Sequence, residues 1–344
     1  MSSRPTVLLA MEPALLPGLL DAQALARLNQ LAYVVPGFVL HGPAGPSDAG
    51  APVRSAALAG AEVLFASWGC PPLDEELLSA APKLRALVYA AGSVKGIVTE
   101  ASRRRGVQVS TAAWANALPV AEYTVAAVLF ANKQVLAVRD EFRRVRGART
   151  HDWRGQLKHI GNYRRTVGIV GASRIGRRVI ELLRPYDLDL VVHDPFLTPA
   201  EATDLGVRGV ELDELCAVSD VVSLHAPHLP ATEGMIDGRR LALMPDGATL
   251  INTARGALVD TPALTAELVS GRLNAVVDTI EPHLLPADSP LYDLPNLLLT
   301  PHIAGSFGNE TRRLGDAALD ELARYAAGLP FAHPLADDRL DRIA

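Results

Sequence analysis

The sequence predicts two doubly wound α/β domains, each built on a parallel sheet. Short apolar runs alternate with helical patterns along most of the chain, as parallel strands with crossover helices require. The alternation comes in two series, parted by one long helical stretch. The second series opens on a strand, a glycine turn and a helix start. The 344 residues are long for one hydrophobic core and comfortable for two.

In the first series, strands are expected at 6–10, 62–66, 85–89 and 107–110, with helices at 74–80 and 94–105. Residues 41–52, rich in Gly, Pro and Ala, read as a surface loop. A single long helix is expected over 116–146. There Val120, Tyr123, Thr124, Ala127, Val128 and Ala131 recur at helical spacing. Pro119 suits the first turn of such a helix, where a missing N–H costs little. The second series places strands at 166–170, 189–193, 221–225, 248–252, 274–278 and 297–300. Its helices start near Arg174, Glu211, Gly238 and Pro262. An amphipathic helix at 309–328 has no strand after it, so it should return to the first domain. The expected domains are therefore 1–112 with 306–344, and 113–305, with hinges near 111–114 and 304–306 and a cleft between them.

Hydrophobic residues make up 49% of the chain and charged residues 21%, a globular balance. The net charge of -5 argues against nucleic acid as the main partner, since phosphate binding wants a basic face. The tight basic cluster Arg103-Arg104-Arg105 reads as a solvated helix end before Gly106. Two cysteines, Cys70 and Cys216, fit no disulfide framework and no zinc spacing, so no metal is expected. The first residues run straight into a strand without the order of a signal peptide, and no uninterrupted apolar stretch suggests a membrane span. A cytoplasmic location is expected.

The turn Gly171-Ala172-Ser173-Arg174-Ile175-Gly176 departs from G-x-G-x-x-G because its middle position holds Ser173. That position lets backbone approach a pyrophosphate, and serine is small and can donate a hydrogen bond. The helix start near Arg174 offers free N–H groups and a positive dipole end. A purely structural turn is the plainer alternative. Context favours the nucleotide, because the next strand ends in Asp194, about 20 residues further on, where a ribose contact belongs. Asp194 would accept from a ribose diol and repel a 2′-phosphate, favouring NAD over NADP. Its plainer role is a turn or cap residue.

Three further segments carry a specific likeness: Leu224-His225-Ala226-Pro227 through Thr232 to Ile236, Leu250-Ile251-Asn252-Thr253-Ala254-Arg255-Gly256 through Asp260, and Asn296 through Pro301-His302-Ile303-Ala304-Gly305. With the glycine turn they resemble the D-2-hydroxyacid dehydrogenase family across most of the second domain. In the first domain only Ala90-Ala91-Gly92-Ser93-Val94 resembles the family's carboxylate-binding loop. The resemblance implies a flavodoxin-like substrate domain and a Rossmann NAD-binding domain. It implies an NAD site at Gly171, Ser173, Arg174, Ile175, Gly176 and Asp194, bordered by Pro227, Thr232, Thr253, Ala254, Arg255, Asp278, His302 and Gly305. Asp278 matches a family position that contacts the nicotinamide amide. Gly92, Ser93 and Arg255 would bind substrate.

The implied chemistry also stands on physical grounds. Reduction of a 2-keto acid needs a cation for the carboxylate and carbonyl oxygens and an acid near neutral pH. A permanent forked donor, Arg255, suits the first. His302, with an ordinary pKa of about 6.5, suits the second. Surface ion pairing is the plainer role for a lone Arg, and a satisfied polar contact for a lone His. His225 and His228 read as loop residues, and Asp260 as a helix cap. Trp68, Tyr89 and Trp114 are candidates for a pocket or for core packing.

One departure from the family pattern stands out. The family glutamate that hydrogen-bonds the histidine falls, without a gap, on His283 in Asp278-Thr279-Ile280-Glu281-Pro282-His283. A histidine supplies no anion to raise the pKa of His302. Either Glu281, sharing a face with His283 in an extended segment, or neutral His283 as a hydrogen-bond acceptor would be the substitute. The expected function is NAD-dependent interconversion of a D-2-hydroxy acid and a 2-keto acid, with activity weakened at position 283. The alternatives are an NAD(H) sensor resembling the family's corepressor members, and a dehydrogenase of another small anion such as formate or phosphite. The long helix and the Trp153 region resemble dimerising parts of the family, so a homodimer is expected.

Overall fold

The computed structural model describes residues 4–42, 51–146 and 151–335. The expectations on residues 1–3, most of the loop at 41–52 and the tail beyond 335 lie outside the described residues. The chain forms two units, one holding the residues up to Asn116 and those from Ser306 on, the other running Ala117–Gly305.

The first unit is built on β1 (Thr6–Ala10), β2 (Tyr33–Leu40), β3 (Val63–Ala66), β4 (Ala86–Tyr89) and β5 (Gln108–Thr111). They are all parallel, in the order β2-β1-β3-β4-β5. β3 and β4 are buried at every position, which is why they read as continuous apolar runs. β2 escaped the sequence reading. It carries Pro36 and Gly37 inside it, and such residues are tolerated at a sheet edge, where β2 lies. The C-terminal helix Thr311–Ala326 does return to this unit: Leu314, Leu319 and Leu322 pack with Val7, Phe65 and Val88.

The second unit is built on β6 (Arg165–Val170), β7 (Leu188–His193), β8 (Arg208–Gly209), β9 (Val221–Leu224), β10 (Thr249–Asn252), β11 (Asn274–Val277) and β12 (Leu297–Leu299). The order is β12-β11-β10-β9-β6-β7-β8, again parallel throughout. The order reverses between β6 and β9, and ligands of such sheets bind beyond the carboxyl ends of the strands at that reversal.

Two expectations are corrected. The helix expected over 94–105 is only Glu100–Arg104, capped by Thr99. The helix expected over 116–146 is two, Ala113–Asn132 and Val135–Val145, parted at Gln134 in the left-handed region (φ 45°). The break is held by Asn132, whose carbonyl accepts from Gly161 N at 2.8 Å and whose Nδ2 donates to Asn162 at 3.0 Å. The earlier start puts Pro119 in the helix interior. The same helix, 20 residues with a window of mean hydropathy 1.2, is long and apolar enough to cross a bilayer by length and composition, although Glu122 interrupts its apolar run. Its Ala121, Ala127 and Val128 pack with Val167, Ile169 and Ile180 in the core of the second unit.

Candidate functional site

The candidate residues of the second unit gather beyond the carboxyl ends of its strands. After β6, Gly171 adopts φ 99°. A Cβ there would lie 2.7 Å from the backbone nitrogen of Ala226, so the turn takes only glycine. At Gly176 a Cβ would meet the carbonyl oxygen of Gly171 at 2.0 Å, because the helix starts hard against the turn. Ser173 caps this helix, Arg174–Leu183, its Oγ accepting from Gly176 N at 3.3 Å. The hydroxyl proton stays free to donate, as the middle position of the motif needs.

Asp194, after β7, braces the turn: Oδ2 accepts from Ala172 N at 2.7 Å and Oδ1 from Phe196 N at 2.8 Å. Each oxygen keeps a lone pair for a diol. The turn role and the ribose role are thus compatible. After β9, Thr232 Oγ1 donates to Pro227 O at 2.6 Å and accepts from Leu229 N at 2.9 Å, which closes the loop between them. A glycine-only cradle, a capped helix N-terminus and a second-strand carboxylate together fit a dinucleotide.

His225 lies beneath that turn, buried, with Nε2 3.0 Å from Ser223 Oγ and Nδ1 without a partner. Burial pushes its pKa down to about 3. As pH falls below about 6.5 the unfolded chain takes up a proton that the folded one refuses, at about 1.4 kcal/mol per pH unit. Stability of the second unit should therefore fall between pH 6.5 and pH 4. Thermal melts of His225→Asn should show a flatter pH dependence, and an unchanged slope would contradict this account.

Buried Asn252, at the end of β10, ties two loops together. Its Nδ2 donates to Arg255 O at 2.9 Å and to Thr279 O at 3.2 Å, and its Oδ1 accepts from Ala254 N at 3.1 Å. Gly256 lets the two loops touch, since a Cβ there would strike the backbone of Ile280 at 2.1 Å. Arg255 is half-buried, and burial disfavours its cation. Its guanidinium donates from one terminal nitrogen to Ala254 O at 2.6 Å, and no carboxylate among the described residues pairs with it. The rest of its fork is available to an anion.

His302 follows β12 with φ 60°, in the left-handed region that is uncommon for residues other than glycine. Its N–H donates to Asp278 O and to Thr300 O, both at 3.0 Å. The rings of His283 and His302 lie edge to face, with centroids 6.0 Å apart. Residues 281–284 bend instead of running extended, and no carboxylate among the described residues hydrogen-bonds or ion-pairs with the His302 ring. The His302 pKa lies below its ordinary value, first through desolvation. Arg255 and His283 push it further down, and Asp278 pulls it up.

Residues Ala113–Asn116 and 306–335 belong to the first unit, where Gly92 leaves room for Asn116. A Cβ at 92 would lie 3.2 Å from Asn116 Nδ2, and Asn116 Oδ1 accepts from Ser306 N at 3.0 Å. Ser93 Oγ accepts from Lys95 N at 3.4 Å. Tyr89 is buried core, whereas Trp68 is 38% exposed. The reading of the sequence missed Asn252, Thr300 and Asn116, and took Tyr123 and Thr124 for a packing face. Hydroxyls on an otherwise apolar helical face were the available signal.

The D-isomer specific 2-hydroxyacid dehydrogenase, NAD binding domain family matches residues 126–304. The chain belongs to that family. A D-3-phosphoglycerate dehydrogenase of Mycobacterium tuberculosis is 34% identical over 260 residues, covering 74% of this chain and 48% of that protein. The chain thus spans about half the length of the phosphoglycerate dehydrogenases it matches. A glyoxylate reductase of Korarchaeum cryptofilum is 33% identical over 261 residues, 75% of this chain and 77% of that one. Among solved structures, a Thermus thermophilus protein is 29% identical with a TM-score of 0.74, covering 96% of this chain and 100% of that one. A phosphoglycerate oxidoreductase from Rhizobium etli shares the fold, with TM-score 0.79 at 24% identity over 97% and 99% of the two chains. In the terms of the D-2-hydroxyacid dehydrogenases, the second unit is the NAD-binding domain, and its sheet order and glycine cradle are the physical content of that match.

Proposed function

We propose that this D-2-hydroxyacid dehydrogenase interconverts a 2-keto acid and a D-2-hydroxy acid with NAD(H). The observation that carries the reading is Arg255, a half-buried cation with no carboxylate partner among the described residues, set beside the ring of His302. Bound NADH supplies a hydride to the carbonyl carbon. Arg255 binds the carboxylate and the carbonyl oxygen through its fork. His302, protonated, gives its proton to that oxygen as negative charge grows on it, and takes it back in the reverse direction. Gly92 and Ser93 of the first unit are proposed to bind the substrate carboxylate as well. Asp194 would favour NADH over NADPH by repelling a 2′-phosphate. Assembly as a homodimer in the cytoplasm is part of the proposal. The dimer is supported by Phe130, 61% exposed, and Phe142, 60% exposed, and sedimentation would test it.

The test is NADH oxidation with glyoxylate, pyruvate, hydroxypyruvate and phenylpyruvate, and NAD reduction with formate and phosphite. The native chain and His283→Glu are compared. Keto-acid turnover by the native chain is expected. It should fade as pH rises through a His302 pKa that lies below the ordinary value. His283→Glu should extend activity to higher pH, because an anion beside the ring favours the imidazolium. Turnover of formate or phosphite alone would replace the substrate class. A second reading, an NAD(H) sensor without turnover, is favoured by the lack of a carboxylate on the His302 ring among the described residues. NADH binding with no turnover in either chain would establish it.

A further inference from the structure

A cleft of about 750 Å³ opens in the first unit, away from every residue used above. That volume lies in the range of pockets that enclose small molecules. Four of its lining residues stand at the amino ends of strands: Pro5 precedes β1, Glu62 precedes β3, Val107 precedes β5 and Gln108 opens it. Gly92 and Ser93 instead follow β4, at the opposite end of the same sheet. The cleft therefore takes no part in the proposed hydride transfer.

One wall of the cleft is the segment that follows the C-terminal helix, and side chains tie it down along its length. Arg324 Nε donates to Pro330 O at 2.8 Å. Glu321, only 3% exposed, accepts from Ala332 N at 2.9 Å and from His333 N at 3.0 Å. Leu335 N donates to Val109 O at 2.8 Å, which fastens the segment to β5. Phe331, buried, stacks with Tyr325, their ring centroids 6.1 Å apart. A wall held in this way is formed before any ligand arrives, so little ordering cost remains to be met on binding.

The polar groups of the cleft are unequal. Glu62 is half-buried, and among the described residues no side chain hydrogen-bonds or ion-pairs with its carboxylate. The phenol of Tyr325 also has no hydrogen-bond partner among them. Its pKa is raised, first by burial and then by the charge of Glu62, with Arg85 acting the other way. The carboxylate thus lies close enough to the aromatic wall to act on it. Arg103, the cation in the lining, is already engaged by Glu100 at 3.2 Å. A half-buried carboxylate without a counter-charge favours a cation, and an aromatic face favours the same partner. Val109, Leu329 and Leu335 add apolar surface for the rest of such a molecule. We infer that this cleft binds a small organic cation, an ammonium on an aromatic or apolar body, with Glu62 as its counter-charge and Tyr325 as its aromatic contact.

The test is titration of the full chain with phenethylamine, followed by NMR, beside phenylacetate, which has a similar body and the opposite charge. Phenethylamine should bind with a Kd of about 1 mM or below, shifting amide signals of Val107–Val109 and Tyr325–Leu335. Phenylacetate should bind at least about tenfold more weakly. Glu62→Gln, which keeps shape but not charge, should weaken phenethylamine about tenfold and leave phenylacetate unchanged. Gln108→Arg places a cation at an exposed wall position and should also weaken phenethylamine. It decides the matter should Glu62→Gln fail to fold. Absence of phenethylamine binding at about 10 mM would overturn the inference. So would equal binding of the two probes, which would leave a merely apolar cleft, or native affinity in either variant. Displacement of the amine by NADH would place it in the second unit and overturn the inference too. Keto-acid turnover enters none of these outcomes, so this inference and the dehydrogenase reading stand or fall separately.

Discussion

Replacing Arg255 by glutamine should lower kcat/KM for the keto acid by about 10²–10⁴, with no loss of thermal stability. Two charge-assisted hydrogen bonds to substrate oxygens contribute about 1.5–3 kcal/mol each, which converts to that range. The stability half of the expectation is the sharper one. In the folded chain Arg255 holds a desolvated charge with Ala254 O for a partner, and no carboxylate among the described residues offsets it. Removing such a charge relieves a cost, so Tm should stay or rise. Melting curves and kinetics on one preparation check both. A variant with lowered Tm and normal KM would show that Arg255 serves the fold instead of an anion.

His302→Asn should lower kcat for keto-acid reduction by about 10²–10⁴, the usual worth of a positioned general acid. Asparagine is the proper replacement, because position 302 sits at φ 60° and asparagine tolerates the left-handed region. A β-branched residue there would confound lost chemistry with a strained loop. The native pH profile should show reduction falling as pH rises through the His302 pKa, since only the imidazolium can donate. That pKa lies below the ordinary value, with desolvation as the main cause. The residual activity of His302→Asn should lose this limb of the profile. A variant retaining it would assign the titration to another group.

Much of the site was legible because its parts sit at strand ends within recognisable local patterns. The turn Gly171–Gly176, Asp194, Arg255 and His302 all come after strands whose apolar runs mark them unaided. Parallel strands are buried on both faces, so their sequence signal is continuous and their ends are sharp. The edge strand β2 lacked that signal, and so it was missed. The missed side chains are of another kind. Asn252 bonds residues three and 27 positions away, and Tyr123 meets Thr300 across 177 positions. No local window contains such pairs.

The sequence by itself determined the alternation of strand and helix, the glycine turn, and the presence of a histidine, His283, five positions after Asp278, because each is a property of neighbouring residues. Tertiary structure alone decided what surrounds the His302 ring. It set the ring of His283 against that of His302. It turned Asp278 toward the loop and bent the backbone at 302 left-handed. These depend on where β10, β11 and β12 end relative to one another, and that is set by sheet order and register across residues far apart in the chain.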